Sequence, residues 1–123
     1  MTETWPRLTG RITTLERRIA DVELFPGDVV VSYHACGALT DEVLARAVKA
    51  RARVAVVPCC HDESTCDLGA LGGWVDAPLA IDATRVARLR AAGYAVSTQR
   101  IPEAITPKNR LLMGEPVLEP AAP

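Results

Sequence analysis

Two short apolar runs dominate the hydropathy pattern, Val29-Val30-Val31 and Val54-Ala55-Val56-Val57, and each stops abruptly at soft, titratable side chains. The first leads into Ser32-Tyr33-His34-Ala35-Cys36-Gly37 and the second into Pro58-Cys59-Cys60-His61. Unalternated Val-rich runs of this length are the mark of parallel strands buried on both faces. Strands are therefore predicted from Val29 to Tyr33 and from Val54 to Val57. Between them Thr40 is placed to cap a helix that ends near Ala50. Asp41 and Glu42 fall in its first turn, Val43, Leu44, Ala47 and Val48 form its apolar stripe, and Lys49, Arg51 and Arg53 gather at its C-terminal end. That charge order is the one the helix dipole favours. Strand, helix and strand make a βαβ unit, in which ligands are expected outside the carboxyl ends of the strands.

The flanking pattern adds two helices and a hairpin. Ile12, Leu15, Ile19 and Val22 recur at helical spacing and predict a helix from Gly10 to Ala20, closed off by Pro26-Gly27. From His61 to Pro78 the periodicity dissolves into Asp, Glu, Ser, Thr and Gly, a long loop of the kind that carries function or mobility. Asp82 reads as the cap of a further helix, with Val86 and Leu89 inward, Arg85, Arg88 and Arg90 on its exposed face, and Gly93 as its left-handed stop. Strands from Tyr94 to Ile101 and from Arg110 to Met113 follow, joined by a connection short enough to make them antiparallel. The chain thus divides into a helical segment at residues 1–27, an α/β region at 28–114 and a tail at 115–123, marked as disordered by Pro116, Pro120 and Pro123.

Composition narrows the class. A chain of 123 residues, 49% hydrophobic and 24% charged, fits one globular domain, and an aromatic content of 4% makes its core aliphatic. With 14 Lys and Arg against 15 Asp and Glu, nothing in the charge balance supports nucleic acid as a partner. No apolar run is long enough to cross a bilayer, and the opening Met1-Thr2-Glu3-Thr4-Trp5-Pro6 lacks the regions of a signal peptide, so a cytoplasmic protein is expected. Its four Cys lie at strand ends and in a loop rather than spread as staples, which favours reduced thiols.

Those thiols and the two imidazoles supply the candidate chemistry. One residue separates His34 from Cys36, which in an extended segment points them the same way, and Cys59, Cys60 and His61 leave the neighbouring strand at the same end. Thiolate and neutral imidazole are the ligands of zinc and iron–sulfur centres, so His34, Cys36, Cys59, Cys60, His61 and the loop residue Cys66 are candidate metal ligands. No CxxC pattern is present. Against the metal stands the reading of Cys36 and Cys59 as small buried hydrophobes, with both His bonded to loop backbone. A third reading is thiol redox chemistry at the vicinal Cys59-Cys60 pair. Asp62 and Glu63 are proton acceptors, supporting partners of a ligating imidazole, or simply solvated. Trp74 packs the loop or lids the cleft, with packing preferred. Tyr33 reads as core or as pocket lining, and Lys108, Asn109 and Arg110 read as a turn.

Taken in order, Asp28-Val29-Val30-Val31-Ser32-Tyr33-His34-Ala35-Cys36-Gly37 and Val57-Pro58-Cys59-Cys60-His61 resemble the class I S-adenosylmethionine-dependent methyltransferase-like group whose strand ends carry HACG and PCCH. Thr106-Pro107-Lys108-Asn109-Arg110-Leu111-Leu112 resembles that group's closing strand. The resemblance implies a partial Rossmann-like methyltransferase sheet of about four strands, the two Val-rich ones being its fourth and fifth and the terminal antiparallel hairpin supplying the last two. It implies a site of Ser32, Tyr33, His34 and Cys36 with Pro58, Cys59, Cys60 and His61, in which Tyr33, His34, Cys36 and His61 are the catalytic candidates. Asp21, at the position of an acid near the adenine, and Ser32 are the cofactor-binding candidates. No Gly-x-Gly follows a predicted strand, so the glycine-rich half that grips S-adenosylmethionine has no counterpart here. Without the first strand of that sheet, Val29 to Tyr33 is left as an open apolar edge, which predicts a homodimer or a separate chain supplying the missing half. The functional expectation is a methyltransferase-like domain dependent on such a partner; the alternative is a metal-binding protein built on the strand-end cluster.

Overall fold

A computed structural model describes residues 5–117. Four strands, β1 (Val29–Tyr33), β2 (Arg53–Val57), β3 (Tyr94–Arg100) and β4 (Arg110–Pro116), form one sheet in the order β1-β2-β4-β3. β1 and β2 pair in parallel through Val29↔Arg53 to Tyr33↔Val57, and β4 lies antiparallel to both β2 and β3. Helix α1 (Ala38–Ala50) joins β1 to β2, and α2 (Ala77–Ala91) joins β2 to β3. The result is a mixed α/β sheet with two helices, in keeping with a partial Rossmann-like sheet closed by an antiparallel hairpin.

One aliphatic core holds it together. Val43, Leu44 and Ala47 of α1 and Leu89 of α2 pack on Val54 and Val56 of β2, Tyr94 of β3 and Leu112 of β4. Burying each of the Val and Leu side chains is worth about 1.5–3 kcal/mol. Tyr94 completes the core by donating its hydroxyl hydrogen to Ala52 O at 2.7 Å, with Ala47 O at 3.1 Å sharing it.

Both helices enter the same core, so they lie on one face of the sheet. The opposite row, in which Val31 pairs with Ala55 and Ala55 with Met113, carries no helix among the described residues. Val29, Val31 and Tyr33 are 59%, 72% and 57% exposed. The continuous Val run had predicted burial on both faces; a single layer of helices leaves one of them bare. Among the described residues β1 also has no strand on its outer side.

Several local expectations need correction. Residues 10–20 form no α-helix; two short 3₁₀ turns, Pro6–Leu8 and Ile19–Asp21, flank irregular backbone. A helix-periodic stripe forms a helix only where a surface receives it, and Ile12 and Leu15 are exposed while Ile19 alone packs against the core. α1 begins at Ala38 with Gly37 at its cap, so Thr40 lies within the first turn and donates its hydroxyl hydrogen to Ala35 O at 2.7 Å. α2 begins at Ala77, with Asp76 at its cap and Asp82 buried within the helix. β4 continues through Glu115 to Pro116, so those two residues belong to the sheet and not to a tail. Pro120 and Pro123 lie outside the described residues.

Candidate functional site

The two strand ends are tied to each other by backbone. After β1 the chain turns through His34, whose φ of 62° is left-handed, and the His34 N–H extends the parallel ladder to Val57 O at 2.9 Å. Gly37 then takes φ 54° and ψ −129°, a conformation open to Gly alone, and donates its N–H to Cys60 O at 2.9 Å. Its carbonyl accepts a hydrogen bond from Arg85 Nη2 at 3.1 Å.

This stitching brings three thiols into a triangle. Cys36 Sγ lies 3.5 Å from Cys59 Sγ and 3.3 Å from Cys60 Sγ, and the vicinal pair is 3.7 Å apart. Cys59 is buried; Cys36 and Cys60 are exposed, and all are free thiols. Hydrogen bonding with Cys60 and then Cys59, together with the repulsion their charged forms would exert, pushes the Cys36 thiol up to about 11. Among the described residues these form the only group of three or more His, Cys, Asp or Glu whose ligand atoms all fall within 4.8 Å of one another.

The other expected ligands stand apart from the triangle. His34 lies against Tyr33 with ring centroids 3.9 Å apart and the rings tilted by 43°, and its Nε2 is buried without a hydrogen-bond partner. His61 is directed at α2: Nε2 lies 2.9 Å from Asp82 Oδ2, the side chain is 3% exposed, and Nδ1 is buried and unpartnered. Cys66 is buried with its sulfur 3.6 Å from Arg85 Nη2. Asp62 is occupied by its own loop, accepting from the Ser64 N–H at 2.9 Å and the Ser64 hydroxyl at 2.7 Å, which holds its carboxyl below the usual range. Glu63 is exposed. Trp74, expected to pack or to lid, does neither and is 88% exposed.

Sequence reasoning missed the charged hub beneath the site. Asp82, read as a cap, accepts from Arg85 Nη1 at 3.0 Å and Arg110 Nε at 2.8 Å besides meeting His61. Arg85, read as part of an exposed face, is 2% exposed and also clamps Asp41 through Nε at 2.8 Å and Nη2 at 3.1 Å. Arg88 and Arg90 are exposed as expected. Burial works against the Arg85 charge, but Asp41 and Asp82 more than offset it and raise its pKa above the ordinary value. Asp82 and Arg85 stand at helical i, i+3 spacing, the one signal in the sequence that pointed to this pairing.

Of the cofactor candidates, Ser32 lines a cavity of 570 Å³ between the Ile19–Asp21 turn, the end of β1 and the start of α1. Asp21 follows Ala20 on the rim of that turn without lining the cavity itself. Arg46 anchors the turn to α1 by donating from Nη2 to Val22 O at 2.8 Å.

No helix among the described residues is long and apolar enough to cross a membrane. Searches of curated proteins and of solved structures give no match. A family model described as a methyltransferase domain does match, at residues 7–66. It takes in β1, α1, β2, the cavity-lining turn and every Cys, and ends before α2 and the terminal hairpin. Over residues 7–66, just under half of its length, the chain is therefore methyltransferase-like, as its strand-end motifs imply.

Proposed function

We propose that this chain supplies the β1–β2 side of an S-adenosylmethionine-dependent methyltransferase cleft and becomes active with a separate polypeptide that carries the glycine-rich cofactor half. The observation that carries this reading is the match at residues 7–66, centred on a βαβ unit whose strand ends hold Tyr33, His34, Cys36 and His61. Support for the partner comes from β1, which is at once an edge strand and bare on one face. Exposed apolar edges of this kind invite pairing with another chain. A second copy of this chain would bring a second edge but no glycine-rich loop, so a chemically different partner fits better than a homodimer. Ser32 and the neighbouring cavity support cofactor contact on this side. Free thiols throughout fit a reducing, cytoplasmic setting.

The test is calorimetry with S-adenosylmethionine, first on the purified chain and then after co-expression with a candidate polypeptide that carries a glycine-rich S-adenosylmethionine-binding half. The expected result is no heat from the chain alone and saturable binding by the pair. Binding by the chain alone, or none by the pair, contradicts the proposal. Size-exclusion chromatography with light scattering at micromolar concentration separates the partner from the homodimer: a mixed complex is expected, and a self-dimer would favour the other arrangement. The alternative raised by the sequence, metal binding at the strand ends, draws on the thiol triangle and does not depend on methyl transfer.

A further inference from the structure

We propose that Cys36, Cys59 and Cys60 form a three-thiolate site for one zinc ion, with the fourth corner of its tetrahedron open to solvent.

Distance is the first argument. With zinc–sulfur bonds of about 2.3 Å, the sulfurs of a tetrahedral site stand about 3.8 Å apart. The three separations here are 3.3, 3.5 and 3.7 Å, so the triangle has to open by a few tenths of an ångström to admit the ion. An iron–sulfur cluster distributes its thiolates over separate iron atoms, which sets them farther apart than the coordination shell of one ion. The triangle is too tight for that and suits a single centre.

Organisation is the second. A pair of adjacent Cys and a third from another strand end would lose much of their binding energy in being brought together. Here the fold itself holds them together, because the His34-to-Val57 and Gly37-to-Cys60 backbone bonds fix one strand end against the other. Thr40 adds a third tether through Ala35 O. The sulfurs stand in contact without being joined in a disulfide.

The composition of the shell is the third. His61 is engaged by Asp82 and Cys66 lies beside Arg85, so neither supplies the fourth ligand in this arrangement. Cys59 forms the buried corner, while Cys36 and Cys60 face outward. A zinc site with three protein ligands and one exchangeable position is the form that binds and activates small molecules, whereas structural sites are closed by four. The open corner suits a water or a soft donor such as a thiol. This inference stands on the sulfur geometry and holds whether or not the domain transfers methyl groups.

The experiment is titration of the reduced, chelator-treated full chain with cobalt(II), followed by displacement with zinc(II). One cobalt per chain is expected, with a thiolate-to-cobalt charge-transfer band and the intense visible bands of tetrahedral coordination, both abolished by one equivalent of zinc. Loss of a supporting group around a metal costs up to about 100-fold in affinity; Cys36→Ser, Cys59→Ser and Cys60→Ser remove ligands and should each exceed that. Cys66→Ser, outside the triangle, should bind as the parent does. Should a serine variant fail to fold, zinc-edge X-ray absorption on the parent protein decides, with three sulfurs in the first shell expected. A folded, reduced parent without the charge-transfer band, a first shell with fewer than three sulfurs, or equal loss of affinity in Cys66→Ser would overturn the proposal.

Discussion

Two residues show most directly how local physics shapes this site. Asp82 sits at the meeting point of Arg85, Arg110 and His61 and is 8% exposed. Removing one member of a buried ion pair leaves the other charge unpaired, at a cost of 3–5 kcal/mol. Asp41 still holds Arg85, so Asp82→Ala is expected to lower stability by about 3 kcal/mol in urea denaturation; a change below about 1 kcal/mol would mean the hub is not a structural keystone. Cys36 carries the second prediction. The thiolate is the reactive form, and with its thiol pushed up to about 11 by its neighbours Cys36 is protonated at neutral pH. In chelator-treated protein, peptide-mapped alkylation of Cys36 should therefore be slow near pH 8 and rise steadily toward pH 11. Rapid labelling at pH 8 that levels off below pH 9 would contradict it. The sequence placed Cys36 and its partners at one sheet end through the βαβ unit, but the extended segment expected to point His34 and Cys36 the same way is a turn, because β1 ends at Tyr33 and His34 takes a left-handed φ of 62°. It could not show which of six candidate ligands converge, because His61 and Cys66 are drawn away by Asp82 and Arg85, a contact between loop and helix that no spacing encodes.

At the scale of elements, the strands were the most legible part. β1 and β2 follow from unbroken Val-rich runs, and the β3–β4 hairpin follows from its short connection. The helix starts were less legible. Thr40 and Asp82 have the chemistry of caps, yet both lie inside their helices because Gly37 and Asp76 turn the chain earlier. The stripe at residues 10–20 failed for a different reason: helical periodicity records a face, and only Ile19 finds a surface to pack on. The junction of β1 and α1 depends on Gly37. A Cβ there would meet Asp62 Cβ at 3.8 Å, an ordinary contact, so the obstacle to any other residue is the backbone conformation alone. Gly37→Ala should cost about 1–3 kcal/mol in thermal or urea unfolding, and it should loosen the thiol triangle that Gly37 holds to Cys60 O. A neutral substitution would show that the turn has an alternative path.

The whole molecule is a sheet finished on one side. Its helices, core and charged hub lie on one face, while no described residue covers the outer edge of β1 or the row from Val31 through Ala55 to Met113 with a helix or strand. An unalternated Val run is suited to two layers, and among the described residues a single layer is present, a mismatch that supports the proposed complement. Val31 is 72% exposed, so Val31→Lys should change the stability of the isolated chain by less than about 0.5 kcal/mol. It should, however, abolish assembly with the cofactor half; light scattering of the mixture checks both the parent complex and its loss. The measurement that bears most directly on the central claim is S-adenosylmethionine calorimetry, run on this chain alone and on the co-expressed pair. The account predicts no heat from the chain and saturable binding from the pair, whereas binding by the isolated chain or silence from the pair would contradict it.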